Sequence, residues 1–320
     1  MQNQIKILVT GKNGQLGQSL NQLTANYPLF TMHFVGRDEL DLSSAESIQA
    51  YFANNEYDVI INCAAYTAVD KAESEPGLAD QINHLAVKQL AEIAKQQDAM
   101  LIHISTDYVF NGQNFKPYSE SDATDPQSVY GLTKLKGEQA IQAINPKGCI
   151  IRTSWVYSEF GNNFVKTMLR LGKEKEQLGI IFDQVGTPTY AGDLAEAILQ
   201  IIDRTVIARS ASDVAIYEAS SGLKMDRHTT LAMTEGDAPT KNEVFHFSNE
   251  GVCSWYDFAK TIFEYAKIPC VVLPIESRCY PTPATRPHYS LMNKAKIKQA
   301  YNLEIPYWKD SLKKCLVNIS

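Results

Sequence analysis

Tyr130 and Lys134 stand four residues apart in the segment Tyr-Gly-Leu-Thr-Lys. On a helix this spacing places both side chains on one face. A free tyrosine has a pKa of about 10, and a neighbouring ammonium group moves that pKa downward. Such a phenol can protonate a carbonyl oxygen while hydride arrives at the carbon. Because helices also carry this pair for packing alone, its chemistry needs support from the rest of the sequence.

Ser105, Thr106 and Asp107 supply polar groups at the end of a predicted strand, with Thr106 standing 24 residues before Tyr130. Ligands of parallel α/β sheets bind at the carboxyl ends of the strands. A hydroxyl from Ser105 or from Thr106 can therefore hold the same carbonyl oxygen, and both residues are candidates for that role.

A glycine-rich loop follows the first predicted strand and opens the first predicted helix. It contains Gly11, Gly14, Gln15, Leu16 and Gly17 in a G-x-x-G-x-x-G pattern. Glycines permit a tight turn and close backbone approach, while free N–H groups at the start of a helix attract a pyrophosphate. The position of the pattern favours a dinucleotide site over a purely structural turn.

The end of the second predicted strand reads Val-Gly-Arg-Asp and bears on cofactor selectivity. An arginine here favours the 2′-phosphate of NADPH, and an acid favours the ribose hydroxyl of NADH. Arg37 favours NADPH, and Asp38 in the acidic role would favour NADH instead. Asp41 and Leu42, just beyond, are placed to face the adenine.

Short apolar runs alternate with longer helical patterns over the first 155 residues, which predicts an α/β fold with a Rossmann-like, doubly wound parallel sheet. The predicted strands are Ile5–Thr10, Met32–Val35, Val59–Asn62, Leu101–Ser105 and Cys149–Thr153. The predicted helices are Gly14–Ala25, Ser44–Ala53, Ala79–Gln96, Ser128–Ile144, Phe164–Leu171, Gly192–Ile202, Trp255–Tyr265 and Lys309–Leu316.

The alternation weakens after Arg152, which predicts a division into two parts. Residues 1–153, with parts of 186–250, form the predicted NAD(P)-binding domain. Residues 154–185 and 251–320 form a smaller mixed α/β substrate-binding lobe. The polar segment 204–242 is predicted to be a surface excursion.

Composition narrows the function classes. The 320 residues are 44% hydrophobic and 21% charged with a net charge of −6, and no Lys/Arg cluster suits a nucleic acid. Six scattered cysteines without metal-ligand spacing indicate buried thiols in a reducing compartment. The N-terminus lacks a signal pattern and no apolar run is long enough to span a membrane, so we expect a cytoplasmic protein.

These motifs together resemble the extended short-chain dehydrogenase/reductase superfamily and, within it, the dTDP-4-dehydrorhamnose reductase family. The similarity covers nearly the whole chain. The segments that carry it, besides the glycine loop and the Tyr/Lys pair, are residues 62–73 (NCAAYTAVDKAE), 105–110 (STDYVF), 152–157 (RTSWVY), 161–164 (GNNF) and 280–287 (YPTPATRP).

The resemblance implies reduction of dTDP-4-dehydro-β-L-rhamnose at carbon 4 by NADPH or NADH, the last step of dTDP-L-rhamnose synthesis. It implies Tyr130 as proton donor, Lys134 as its partner and ribose ligand, and Thr106 as the hydroxyl that orients the keto oxygen. The substrate contacts that it implies are Thr106, Asp107 and Trp155. The further cofactor contacts that it implies are Ala65, Tyr66 and Thr67.

Some positions depart from the family pattern. Tyr66 stands where members often have His. Members that dimerise around Mg²⁺ use glutamates, whereas this chain has Ser19 at one such position and an uncertain carboxylate near Gly192 and Asp193, so no metal ligand is assigned and a homodimer stays possible. Arg286 either pairs with the substrate diphosphate or has no specific role.

Two other functions fit the same motifs. Relatives of this family serve as catalytically silent, cofactor-binding regulatory subunits, against which the retained Tyr130, Lys134 and Thr106 argue. A different nucleotide-sugar reductase or an epimerase is the second alternative, because fold does not fix substrate.

Overall fold

The computed structural model describes residues 4–205 and 242–319. Nearly all of the predicted excursion at 204–242 therefore lies outside the described residues. The described chain has the predicted α/β class, with a parallel sheet between two layers of helices.

The central sheet has six strands in the described part of the chain, in the order β10-β5-β4-β3-β1-β2, and every neighbouring pair is parallel. These strands are β1 (Ile5–Thr10), β2 (Phe30–Val35), β3 (Val59–Asn62), β4 (Met100–Thr106), β5 (Gly148–Thr153) and β10 (Glu243–His246). The predicted strands are confirmed with shifts of one or two residues. The sixth strand, β10, was not predicted, because it is only four residues long and comes directly after a long polar segment.

Helices flank the sheet. They are α1 (Gln15–Leu23), α2 (Ala45–Phe52), α3 (Val69–Ala72), α4 (Pro76–Asp80), α5 (Ala86–Gln96), α6 (Val129–Ile144), α7 (Phe164–Glu174), α8 (191–205), α9 (Trp255–Ala266), α10 (Ala295–Tyr301) and α11 (Trp308–Ile319). The predicted helix Ala79–Gln96 is instead three joined segments, since a π-helical turn at Gln81–Leu85 separates α4 from α5.

Alternation along the strands explains why both faces are covered. Ile7 and Val9 pack into one apolar cluster with α1 and α8, and Leu8 packs into another with α2 and α5. A strand buried on both faces needs apolar residues at successive positions, as β1 has.

The order of the strands in the sheet determines where the binding crevice forms. β1 lies between β2 and β3 in the sheet. After β2 the chain crosses back over β1 and adds its later strands on the other side, and ligands of open α/β sheets bind in the crevice where the strand order changes direction in this way. The glycine loop after β1 and the Ser-Thr-Asp segment after β4 therefore meet at one sheet edge.

Another apolar cluster lies in the C-terminal part of the chain, around Phe258 and Trp308. Its elements include α7, α9 and α11, with the strand pairs β6 (Val156–Tyr157) with β9 (Thr189–Tyr190), β7 (Gln177–Ile181) with β12 (Val271–Ile275) and β8 (Val185–Gly186) with β11 (Cys253–Ser254). Of the helices in the described ranges, none combines the length and apolarity needed to cross a bilayer.

Candidate active site

A cleft of about 770 Å³ opens at the carboxyl edge of the sheet. It brings together most of the site residues named from the sequence. Those that line it are Gly11, Gly14, Gln15, Leu16, Arg37, Asp41, Leu42, Ala65, Thr67, Ser105, Thr106, Asp107, Tyr130, Lys134 and Trp155. Gly17 and Tyr66 lie outside this lining.

The glycine loop is shaped for close approach. Gly11 has φ of +74°, and a Cβ there would lie 3.0 Å from the backbone nitrogen of Ala64. Gly14 caps α1 without a side-chain hydrogen bond, which leaves the first N–H groups of the helix available. At Gly17 a Cβ would collide with the Gly11 carbonyl. Gly17 thus keeps α1 packed against the loop, and the residues present fit a dinucleotide pyrophosphate.

Arg37 extends from the end of β2 with its side chain 76% exposed. Its Nε lies 3.2 Å from Asp41 Oδ2 and its Nη2 lies 3.4 Å from Ser43 Oγ. Hydrogen bonds from Ser43, together with Arg37, lower the pKa of Asp41 against the effect of burial. The arginine and a hydroxyl therefore stand together at the mouth of the cleft.

Tyr66 departs from its predicted place. Its hydroxyl donates to Glu75 Oε2 at 2.7 Å, and its backbone N–H donates to Asn83 Oδ1 at 2.9 Å. The ring is thereby turned toward α4, whereas its neighbours Ala65 and Thr67 face the cleft.

Helix α6 carries the Tyr/Lys pair, and its start is fixed by two side chains. Ser128 Oγ accepts the Gly131 N–H at 3.2 Å, and Glu73 Oε1 accepts the Val129 N–H at 2.9 Å. At Gly131 a Cβ would collide with the carbonyl of Tyr108. This glycine lets Tyr130 approach the end of β4. Glu73, for which no role was predicted, helps to position the helix.

Tyr130 is buried, and burial raises its pKa to about 12; the nearby Thr106 hydroxyl opposes this and Asp107 adds to it. Burial dominates, so the pKa of Tyr130 shifts upward and not downward as the Tyr/Lys spacing predicted. Lys134 Nζ donates to the Ile104 carbonyl at 2.6 Å and lies 3.1 Å from His103 Nε2. Tyr130 therefore holds its proton at neutral pH, as an acid must before it donates.

The Lys134 amine is also buried. Burial lowers its pKa to about 8, and the negative charge of Glu138 acts in the opposite direction. A lysine in this state changes charge close to neutral pH, which is typical of functional sites.

The two candidate hydroxyls differ in their partners. Ser105 Oγ donates to Glu138, whose carboxylate forms a buried ion pair with Arg152 at 2.6 Å. Thr106 Oγ1 accepts the Tyr108 N–H at 3.2 Å and donates to Asp107 Oδ1 at 3.0 Å. Ser105 is held by the ion pair, whereas Thr106 lies beside Tyr130.

Asp107 is 2% exposed, and its Oδ2 has no hydrogen-bond partner among the described residues. Burial raises its pKa to about 7, with the hydroxyls of Thr106 and Ser290 acting against that rise. This carboxyl can therefore hold or release a proton near neutral pH. Nothing in the sequence pattern signals that shift, because it arises from packing.

Trp155 lines the cleft with a backbone φ of +50°, which is unusual for a bulky residue. Its ring stacks on Trp255 with centroids 3.7 Å apart and planes 14° apart. The left-handed backbone turns the ring out of the β5 direction toward the cleft wall. The sequence did not single out Trp255, which backs this ring from α9.

Arg286 forms an ion pair with Asp70. Its Nη1 and Nη2 lie 2.9 and 2.7 Å from the two carboxylate oxygens of Asp70. The bidentate pair joins the segments 62–73 and 280–287, both named above. The guanidinium is held by this carboxylate, and its pairing with a substrate diphosphate stays a prediction.

The residues present do not fit a bridging Mg²⁺ ion. Ser19 is buried and donates to the Gln15 carbonyl at 3.0 Å, and Asp193 Oδ2 accepts from Asn249 and Ser311. Within the ranges 4–205 and 242–319 there is no group of three or more His, Cys, Asp or Glu side chains that could hold a metal ion.

A parallel sheet with a glycine loop after β1, and a Tyr-x-x-x-Lys pair in the same cleft, defines an NAD(P)-dependent short-chain dehydrogenase/reductase of the extended type. The family model described as "RmlD substrate binding domain" matches residues 5–232 and 225–320. The chain belongs to this family, the dTDP-4-dehydrorhamnose reductase family.

Relatives agree over nearly the whole length. The dTDP-4-dehydrorhamnose reductase of Escherichia coli K12 is 40% identical over 324 residues, covering 98% of this chain and 97% of the relative. That of Aggregatibacter actinomycetemcomitans is 36% identical over 315 residues, covering 96% and 97%. The solved structure of the Bacillus anthracis enzyme in complex with NADP has a TM-score of 0.84 at 33% identity, covering 98% of this chain and 99% of that chain.

Proposed function

We propose that this chain reduces dTDP-4-dehydro-β-L-rhamnose to dTDP-L-rhamnose, the last step of dTDP-rhamnose biosynthesis. The proposal is supported by the position of Tyr130, Lys134 and Thr106, which line the same cleft. The chain that places them there matches enzymes of this name over nearly its full length. The bound nicotinamide cofactor would supply hydride to carbon 4.

Tyr130 supplies the other hydrogen. Its hydroxyl proton passes to the oxygen of the keto group, so hydride and proton together convert the ketone to an alcohol. The phenolate left behind is stabilised by the ammonium of Lys134 and regains a proton from solvent. With substrate bound, the Thr106 hydroxyl would turn its proton from Asp107 Oδ1 to the same oxygen. Its place beside Tyr130 supports this role over Ser105, which Glu138 holds.

The cofactor-binding roles follow from the cleft lining. Gln15 and Leu16 offer backbone N–H groups to the pyrophosphate, and Gly11 and Gly14, whose own N–H donates to the Gly11 carbonyl, allow it to approach the loop closely. Lys134 also offers an N–H to a ribose hydroxyl. Further along the cleft, Asp41, Leu42, Ala65 and Thr67 line the cofactor site.

NADPH is the proposed donor, with NADH as the alternative. Arg37 and Ser43 stand together at the mouth of the cleft and suit a 2′-phosphate. Asp38 lies outside the cleft lining, which argues against its use as a ribose ligand.

Asp107 and Trp155 are proposed to contact the sugar. A carboxyl with an unused oxygen can bind a sugar hydroxyl, and a rigid tryptophan face can lie against the ring. The domain division stays a proposal, supported by the separate apolar cluster in the C-terminal part. A cytoplasmic location is supported by six free cysteines, all within the described ranges.

A substrate panel tests the proposal. We expect the purified chain to oxidise NADPH when given dTDP-4-dehydro-L-rhamnose, followed by absorbance at 340 nm, the NADPH band. Cofactor binding without turnover would favour a silent regulatory subunit. Turnover of a different nucleotide sugar, or interconversion of epimers without net NADPH loss, would favour the second alternative.

A further inference from the structure

A row of buried polar side chains crosses the interior of the sheet behind Lys134. Thr10, Asn62 and His103 occupy matched register positions on the neighbouring strands β1, β3 and β4. Their exposed fractions are 2%, 1% and 0%, and that of Lys134 is 1%. Polar groups buried this deeply need hydrogen-bond partners, so the row must be satisfied internally.

The contacts are continuous. Lys134 Nζ lies 3.1 Å from His103 Nε2, and His103 Nδ1 lies 3.1 Å from Asn62 Nδ2. Asn62 Oδ1 accepts the Thr10 hydroxyl at 2.7 Å, and Thr10 Oγ1 accepts the Ala64 N–H at 3.3 Å. Lys134 is thus linked through His103 to side chains on two further strands of the sheet.

The charge of Lys134 fixes the order of donors along this row. An ammonium has three donors and no acceptor, so His103 Nε2 must offer a lone pair. The ring proton then sits on Nδ1, and Asn62 must turn its oxygen toward it. This order turns the Asn62 carboxamide end for end from its orientation in the structure, where Nδ2 faces His103 and Oδ1 accepts from Thr10. The turned nitrogen then donates to Thr10 Oγ1. The reverse order, with the ring proton on Nε2, requires a neutral amine at Lys134.

We propose that His103 is a positioning residue for Lys134: as a neutral ring with its proton on Nδ1, fixed by Asn62, it accepts a hydrogen bond from the lysine ammonium. Together with the Ile104 carbonyl it uses two of the three ammonium donors, and the third is left for the cleft, which Lys134 lines. The proposal rests on the catalytic role of Lys134 stated under the proposed function.

The surroundings favour a neutral ring. Burial lowers the pKa of His103 far below its ordinary value, and the positive charge of Lys134 adds to this. Glu138, on α6, favours the ammonium of Lys134, but its own charge is paired with Arg152 on β5. Neutral His103 therefore raises the proton affinity of Lys134, because it accepts a hydrogen bond from the ammonium and adds no positive charge beside it.

The histidine tautomer tests the proposal without turnover. In ¹⁵N NMR of the full-length protein, with His103 assigned from the loss of its signals in His103→Gln, we expect a neutral ring protonated on Nδ1 that does not titrate between pH 6 and 8. A ring protonated on Nε2, or an imidazolium, overturns the proposal. Because no substrate is needed, this failure is distinct from failure of the proposed reductase activity.

Three variants test the positioning role. The Gln side chain can put an acceptor near the position of His103 Nε2, whereas the Asn side chain reaches only the position of Nδ1. Leu has a polar atom at neither position. We expect the high-pH fall of kcat to come about one pH unit earlier in His103→Asn and His103→Leu, and within about 0.3 unit of the parent in His103→Gln. Equal profiles for Asn and Gln, or a parent-like profile for Leu, overturn the proposal.

Discussion

Ser105 Oγ donates its proton to the buried carboxylate of Glu138, and this bond separates two hydroxyls that are adjacent in the sequence. Glu138 is 1% exposed and pairs with Arg152, so the serine belongs to a buried ionic network. Thr106, one residue on, faces the cleft beside Tyr130. Both residues line the cleft, but the Ser105 hydroxyl is held by Glu138, whereas Thr106 lies beside Tyr130.

Thr106→Ala is therefore expected to lower kcat about a hundredfold, because a hydroxyl aimed at the reacting oxygen is lost. Ser105→Ala is the matched control and should keep kcat within about threefold. It should instead cost about 1–3 kcal/mol of unfolding free energy, since a buried acceptor loses its donor. Steady-state kinetics and urea unfolding measure both quantities. The reverse pattern would assign the catalytic hydroxyl to Ser105.

Tyr130→Phe removes the proposed proton donor and leaves the ring. We expect kcat to fall by about two orders of magnitude or more, with cofactor affinity nearly unchanged, because general-acid catalysis contributes on that scale. Tyr66→Phe is the control, since its hydroxyl donates to Glu75 outside the cleft. Single-turnover kinetics and cofactor titration separate the two effects. Full activity in Tyr130→Phe would remove this residue from its role.

The sequence predicted the fold and most of the cleft because both depend on local patterns. Buried parallel strands read as apolar runs, and Gly11 marks a backbone position with positive φ that lies against Ala64. The Tyr/Lys spacing needs only a helix. Such features are visible in the order of residues without knowledge of distant contacts.

The features that were missed depend on contacts between distant segments. Arg286 meets Asp70 across 216 positions, and Trp155 stacks on Trp255 from another helix. The raised pKa of Tyr130 comes chiefly from burial, which the residue order does not show. His103 is an ordinary strand residue in the sequence, and only the register of β1, β3 and β4 aligns it with Asn62 and Thr10.

The pH dependence of kcat should report Lys134. Its pKa is lowered by burial to about 8, and the ammonium form is the one that stabilises a phenolate. As pH rises through that value the ammonium is lost, so kcat should fall about tenfold per unit above it. Lys134→Gln should lower kcat throughout and abolish this fall. A parent profile that stays flat to pH 10 would contradict the assignment.

Arg37→Ala tests cofactor selectivity. Loss of the guanidinium should weaken NADPH binding about tenfold or more, because a charge-assisted contact to the 2′-phosphate is removed. NADH affinity should change by about twofold or less, since NADH has no such phosphate. Arg170→Ala, an exposed arginine paired with Glu174 on α7, is the control. Equal losses for the two cofactors would show that Arg37 does not read the phosphate.

Asp107→Asn should stabilise the protein in a pH-dependent way. Burial raises the pKa of this carboxyl from 3.8 to about 7, so between these values the folded state binds a proton that the unfolded state has lost. Stability must then fall as pH rises across that window, and above it the buried charge costs its full amount. Asparagine carries no charge, so the unfolding free energy of Asp107→Asn should exceed that of the parent by about 1–3 kcal/mol at pH 8. This difference should shrink toward pH 4.

Thermal unfolding at pH 4, 6 and 8 measures this difference, with the exposed Asp38→Asn as the control. That control should shift the unfolding temperature by a similar small amount at each pH. If Asp107→Asn behaves in the same way, the carboxyl is charged throughout and its proposed sharing of a proton with a sugar hydroxyl fails. If the advantage grows with pH while kcat/KM falls, Asp107 is a substrate contact held at a cost to stability, as buried functional groups often are.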